Sequence, residues 1–510
     1  MPASEPADLF SLIRSRIADP AKLFIETNDG RRFTYADMLA LSGRLASVLV
    51  ARGVEPGDRV AVQVDKSPEA VILYLACLRA GAVYLPLNNA YTLAELEYFI
   101  GDAEPKVVVA TPKAGADLGA LAARLGVAAT ETLGTAGDGS LMAAAAAASA
   151  DFADVARGWD DLAAILYTSG TTGRSKGAML TQRNLASNAL TLVDYWRFSP
   201  ADVLLHALPI FHTHGLFVAT NTLLLAFGTM LFLPKLDADE MMRLMPRCTT
   251  MMGVPTFYVR LLQDERLTRA TTAHMRLFIS GSAPLLADTH RAWQERTGHA
   301  ILERYGMTET NMNTSNPYDG ERIAGTVGFA LPGVDLRVVD PESGKALGTG
   351  EVGMIEVRGP NVFKGYWRMP EKTAAEFRPD GFFITGDLGT VDARGYVRIV
   401  GRGKDLVISG GYNVYPKEVE TEIDAIPGVT ESAVIGVPHP DFGEGVTAVV
   451  AVPKGSTLTE RDVLARLDGR LAKFKQPKRV FFVDDLPRNT MGKVQKNVLR
   501  EQHKDLYAKG

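Results

Sequence analysis

The chain has 510 residues, 46% of them hydrophobic and 22% charged, with a net charge of −4 and a pI near 6.1. That length accommodates two or three globular domains, and the ordinary composition carries no basic surplus that would point to nucleic acid. Two cysteines, Cys77 and Cys248, exclude a disulfide framework, and neither sits in a CxxC pair, so a zinc site is not expected and a reducing, cytoplasmic setting fits best.

Acidic residues come early and no long apolar core follows them, so a secretory signal is not expected. Residues 58–64 read as a strand, 68–80 as a helix with Pro68 in its first turn, 82–87 as a strand, 93–102 as a helix and 106–110 as a strand. Strands alternating with helices imply a parallel α/β sheet. Residues 114–150, rich in Ala and Gly, read as surface helices and loop without chemistry. Residues 215–234 are uncharged over nearly the length of a membrane span. They contain Thr220, Asn221, Thr222, Gly228 and Thr229, however, so a buried helix followed by a buried strand is expected and no membrane partner.

After about residue 325 the pattern changes to alternating polar and apolar residues, as at 354–358 and 396–400, which predicts half-buried antiparallel strands. A Gly-rich joint follows at 401–405. Beyond it helices at 416–425, 459–471 and 494–502 and strands at 432–437, 447–452 and 479–483 form a compact α+β unit. The expected fold class is therefore α/β. A large N-terminal domain covers residues 1–402, with parallel α/β sheets and a smaller β-rich part from about 325. A small α+β lid covers 403–510.

The sharpest motif runs from Tyr167 to Gly177, after the apolar stretch 162–166 and before a helical one. Gly170, Gly173 and Gly177 let the backbone turn its N–H groups toward one point. Thr168, Ser169, Thr171 and Thr172 add hydroxyl donors, and Lys176 adds positive charge. Such a loop cradles a polyphosphate, although no Walker A pattern can be drawn through it.

This loop resembles the signature of the adenylate-forming (AMP-binding, acyl-CoA synthetase) superfamily, and four further stretches do so in the family's order. Tyr305, Thr308 and Glu309 lie in a segment similar to its adenine and magnesium motif. Asp387 and Arg402 match its ribose and hinge motifs, with Lys404 as the hinge residue, and Lys493 lies in a stretch similar to its C-terminal lysine loop. The resemblance implies ATP, Mg2+ and CoA as cofactors and substrates. A carboxylate attacks ATP to give an acyl-adenylate, the lid turns, and the CoA thiol attacks. Glu309 offers a hard oxygen to magnesium. Lys493 offers a point charge to the α-phosphate in the transition state. Gly410 and Gly411 would lie against the pantetheine arm.

Residues 208–215 carry His212 where amino-acid-activating relatives commonly place an aspartate, so amino-acid activation is not expected, and His212 is assigned to the acyl site. Arg260 and Arg304 are out of place in an apolar acyl pocket, and a distal carboxylate would satisfy them. The stretches 209–221, 303–315 and 485–496 resemble malonyl-CoA synthetases of the superfamily, which implies malonate, with methylmalonate as a further acid. Two other readings remain: a ligase for a medium-chain or aryl acid, and a non-catalytic nucleotide-binding regulator.

Overall fold

In a computed structural model, the structure describes residues 7–168, 175–409, 412–440, 442–468, 470–471, 473–489 and 492–508, with 412 and 413 described by their backbone only. The chain forms two compact units, Met1–Asp335 with Arg358–Gly381, and Leu336–Val357 with Phe382–Gly510. Packing thus groups the β-rich residues 336–357 and 382–402 with the residues that follow them, rather than with the N-terminal domain expected to reach residue 402.

The first unit holds two sheets. In one, seven strands run in the order Gly365–Tyr366, Lys176–Thr181, Leu162–Thr168, Val83–Pro86, Arg59–Gln63, Val107–Ala110 and Ala129–Thr132. The last five are mutually parallel. Their helices start where the sequence demands. Ser67 caps Pro68–Arg79, whose proline occupies the first turn, and Thr92 forms a capping box with Glu95 on Leu93–Ala103. The residues after 114 add more than surface, because Ala129–Thr132 extends this sheet at its edge.

The second sheet runs Phe329–Ala330, Asn311–Ser315, Leu302–Met307, Leu277–Ser280, Thr250–Gly253, Val203–His206, Thr229–Phe232, Leu23–Thr27 and Arg32–Thr34. From Leu302–Met307 through to Leu23–Thr27 every pairing is parallel. The carboxyl ends of these strands therefore emerge on one edge, where ligands bind in sheets of this kind. Segments 207–215, 281–285 and 305–310 all start there. Residues 215–234 form a buried π-helical turn and short α-helix followed by the buried strand Thr229–Phe232, and among the described residues no helix is long and apolar enough to cross a membrane.

The second unit contains a four-stranded sheet, ordered Asp335–Val339, Gly353–Arg358, Phe383–Val391 and Val397–Arg402. It also contains a five-stranded sheet in which Gly443–Ala451 pairs antiparallel with Glu431–His439 and parallel with Arg479–Val483. Helices Pro416–Asp424, Glu460–Leu467 and Lys496–His503 complete it. The second of these stops short of the expected residue 471, with Asp468 in extended backbone at its C-cap.

Asp424, at the end of Pro416–Asp424, accepts a hydrogen bond from Ser432 Oγ at 2.7 Å, and its nearest cation, Lys417 Nζ, is 3.8 Å away. Burial pushes its carboxyl up to about 6, against help from Lys417 and Ser432. A folded-state value above the unfolded 3.8 means the native state binds the extra proton, so stability falls as pH rises from about 4 through about 6. Asp424→Asn keeps the acceptor and removes the charge. It should stabilise the protein by up to about 3 kcal/mol at pH 8 and by almost nothing at pH 4, read as apparent melting temperature by calorimetry at both pH values.

Candidate active site

Arg304 lies on Leu302–Met307, at the carboxyl edge of the nine-stranded sheet, and is 4% exposed. Its Nε and Nη2 have no hydrogen-bond partner among the described residues. Burial lowers its proton affinity, with Tyr258 as the only named group that opposes this. The neighbouring carboxylate does not serve it. Adjacent strand residues face opposite ways, and Glu303 is held by His290 Nδ1 at 3.2 Å and the Gly325 N–H at 3.2 Å. The backbone closes on the guanidinium from the other side. A Cβ at Gly281 would sit 2.3 Å from Arg304 Cζ, so any larger residue there would have to displace the guanidinium.

His214 lies close enough to Arg304 to be acted on by its charge. It begins the π-helical segment His214–Asn221, a geometry found mostly at functional sites. It is 2% exposed, with Nδ1 3.2 Å from Ser282 Oγ and Nε2 without a partner among the described residues. Burial, and then the charge of Arg304, keep it neutral by pushing it well below the ordinary histidine range. Gly215 is obligatory, because a Cβ there would lie 2.0 Å from the Pro209 carbonyl oxygen. Ser282 and Asn311 adopt left-handed backbone at φ 70° and 50°, the kind of strain that clusters at ligand sites. Ser280 Oγ and both polar atoms of the Asn311 side chain are also buried without partners among the described residues.

His212, the histidine singled out from the sequence, is half-buried, and its Nδ1 accepts from the His214 N–H at 3.3 Å. Of the two histidines His214 is the more buried, a distinction the spacing of the two does not reveal, and the charge of Arg304 acts on it. Arg260 is exposed in the last turn of Pro255–Leu262. Tyr258, two residues earlier, is the member of that helix with an electrostatic contact to Arg304. The structure therefore does not bring the two arginines into one buried pair.

On the phosphate side, the loop after Leu162–Thr168 leads into an antiparallel strand, Lys176–Thr181, with Thr168 opposite Lys176. A helix was expected there, but β-branched and apolar residues through Thr181 extend the hairpin first, and the helix Gln182–Tyr195 starts only after Thr181 caps it. The loop residues Ser169, Gly170, Thr171, Thr172 and Gly173 lie outside the described residues, as do Gly410 and Gly411. Thr168 is half-buried, its hydroxyl 3.5 Å from the Lys176 carbonyl oxygen. Lys176 Nζ is 3.1 Å from Glu376 Oε1 and 4.2 Å from the Tyr366 ring centre.

Glu309, 6% exposed, follows Thr308 in the turn between Leu302–Met307 and Asn311–Ser315, and its Oε1 is 3.0 Å from the Tyr366 hydroxyl. Tyr305 is half-buried on the first of those strands, opposite Thr314. Among the described residues no cluster of three or more metal-ligating side chains exists. Magnesium takes one or two protein carboxylates and fills its octahedron with water and phosphate oxygens. Glu309 fits that role as a lone, buried, hard ligand.

In the second unit Asp387 is 4% exposed and takes Arg402 Nε at 2.7 Å, the two being register partners on adjoining strands. Lys404 is exposed in the turn Gly403–Asp405, and partial desolvation lowers its proton affinity. Lys493 is exposed at the end of a tight loop. Asn489 closes it, accepting the Lys493 N–H at 3.0 Å on its side chain, and Arg488 Nη1 donates to the Gly492 carbonyl at 2.7 Å.

The AMP-binding enzyme family matches residues 15–367, and the AMP-binding enzyme C-terminal domain matches 418–493. A feruloyl-CoA synthase of Amycolatopsis sp is 38% identical over 93% of this chain and 94% of its own length. The mitochondrial malonate–CoA ligase of Mus musculus is 36% identical over 94% and 87%. The crystal structure of ATP-bound MatB from Rhodopseudomonas palustris is 69% identical, covers 98% of this chain and 99% of its own, and superposes with a TM-score of 0.96. With family models matching residues 15–367 and 418–493, the chain belongs to the AMP-binding enzymes.

Proposed function

We propose that this protein is an AMP-forming acid–CoA ligase that activates malonate, and methylmalonate beside it. The observation that carries the acid is Arg304, a buried guanidinium whose Nε and Nη2 have no partner among the described residues. An unpaired buried cation costs several kcal/mol, and a second carboxylate on a short acid removes that cost with paired hydrogen bonds. Curated relatives named for ferulate and for malonate are almost equally similar, and the much higher identity to MatB, 69%, supports the malonate reading. An aryl or medium-chain acid would leave the guanidinium uncompensated. A regulator without chemistry would have no use for Lys493.

In this reading His214 and Ser282 line the chamber beside Arg304 and orient the acid. Its free carboxylate oxygen attacks the α-phosphorus of ATP, and pyrophosphate leaves. The hairpin from Thr168 to Lys176 receives the phosphates, through the N–H groups and hydroxyls of Ser169, Gly170, Thr171, Thr172 and Gly173. Tyr305 stacks on adenine, Thr308 adds a hydroxyl, and Asp387, aligned by Arg402, accepts from the ribose hydroxyls. Glu309 would hold magnesium, which neutralises phosphate charge when bound. The segment 403–510 acts as a lid turning about Lys404. It presents Lys493 for adenylation and then withdraws it, and the CoA thiol, its arm along Gly410 and Gly411, attacks the acyl carbon and releases AMP. The two buried, unpaired cysteines accord with a cytoplasmic setting.

Arg304→Met should raise the melting temperature of the ligand-free protein, by an amount equivalent to about 1–3 kcal/mol, because an apolar chain of similar length replaces an unsatisfied charge. The same variant should lose malonate-dependent pyrophosphate release while still binding ATP. Wild type should prefer malonate to acetate and butyrate by about 10⁴ in kcat/KM, as sites built around a polar partner do. A variant that is both less stable and fully active on malonate would contradict the assignment.

Lys493→Ala should slow adenylation by on the order of 10² to 10³, the cost of one transition-state donor. CoA transfer from supplied malonyl-adenylate should stay close to wild type. Rapid-quench measurement of both half-reactions decides, and equal losses would rule out the turning lid.

A further inference from the structure

The nucleotide side of the site contains two residues that no motif reading singled out. Tyr366 lies on the two-residue strand Gly365–Tyr366, which pairs antiparallel with Lys176–Thr181, Tyr366 opposite Ala178. Its hydroxyl is 3.0 Å from Glu309 Oε1 and 2.6 Å from Glu376 Oε2. Glu376 ends the helix Pro370–Glu376, and its other oxygen meets Lys176 Nζ at 3.1 Å and Lys372 Nζ at 2.7 Å. One phenol thus joins the metal carboxylate to the carboxylate that anchors the phosphate-side lysine.

The backbone locks the phenol in place. The Phe363 N–H donates to the Glu309 carbonyl at 2.7 Å, so the segment that carries Tyr366 grips Glu309 by main chain as well as by side chain. The Tyr366 N–H donates to Thr373 Oγ1 at 2.9 Å, and Phe363 packs edge-on against the Tyr366 ring at 4.8 Å. A phenol carries one proton, and two carboxylates face it. The shorter contact is to Glu376, but Glu376 also has two ammonium groups to draw on, so the phenol proton is shared between the two carboxylates. A glutamate has three side-chain torsions, and a rigid donor at 3.0 Å selects among their combinations. Magnesium demands near-ideal octahedral geometry, so the direction of its carboxylate sets affinity.

We propose that Tyr366 is a positioning residue that aims Glu309 at the nucleotide's magnesium, with Glu376 as the anchor that ties this array to Lys176. The inference rests on the ATP-dependent ligase reading and specifies how its metal carboxylate is held.

The test is a double-mutant cycle of Tyr366→Phe and Glu309→Gln, read by electron paramagnetic resonance of Mn2+·ATP binding to the full-length protein and by calorimetry of ATP without metal. Tyr366→Phe should weaken Mn2+·ATP binding about tenfold, the usual effect of removing a hydrogen bond to a charged group, and leave metal-free ATP binding unchanged. In the Glu309→Gln background the same substitution should add almost nothing, because the phenol acts through Glu309. Wild-type affinity in Tyr366→Phe, an equal loss for metal-free ATP, or an equal further loss in the Glu309→Gln background would each overturn the proposal. If wild type itself binds ATP with no metal dependence, the ligase reading falls instead, and the two failures are distinguishable.

Discussion

A single unsatisfied cation organises the acid end of this molecule. Arg304 is held where water does not reach it and where no carboxylate of the described residues hydrogen-bonds it. Several otherwise unrelated features follow from keeping it there. Glycine at 281 lets the chain pass over the guanidinium, left-handed Ser282 turns its hydroxyl to His214, and Glu303 is tied off on the opposite face by His290. Each departs from the cheapest local choice, and strain of this kind persists where the surroundings over-determine it for a ligand.

The phosphate end obeys the opposite rule. There every charge named has a counter-charge or a donor: Lys176 with Glu376, Glu376 with Lys372 and Tyr366, Glu309 with Tyr366. Satisfied networks are rigid, and rigid charges stabilise a transition state without reorganising. The contrast gives each end its task. A triphosphate brings its own large charge and needs fixed partners. A short dicarboxylic acid is chosen by the penalty its absence leaves behind.

Much of this was legible in the residues alone. Glycines, hydroxyls and a lysine in one loop, a lone carboxylate after an aromatic, and an arginine beside it state their chemistry by type, and Arg304 proved buried as its surroundings required. What the sequence hid depends on geometry. His212 and His214 are equivalent by composition, and only the π-helical turn places the second inside. Arg260 shares a helix with buried Tyr258, but the helical period turns it outward. Tyr366 and Glu376 lie far along the chain from Glu309, and the strand pairing of Gly365–Tyr366 with Lys176–Thr181 brings them together. The hairpin after the phosphate loop was missed because the short run Lys176–Thr181, without strict alternation and directly before a helix, reads as part of that helix.

The central claim is that Arg304 selects a second carboxylate, and the most direct measurement is the affinity of matched, non-hydrolysable acyl-adenylate analogues. Malonyl and butyryl sulfamoyl-adenosine share every contact except the distal group. Calorimetry should show the malonyl analogue binding wild type tighter by at least about 10²-fold, a hydrogen-bonded buried charge pair against an unpaired cation, with the gap closed in Arg304→Met. Equal affinities for wild type, or a preference that survives in Arg304→Met, would contradict the account.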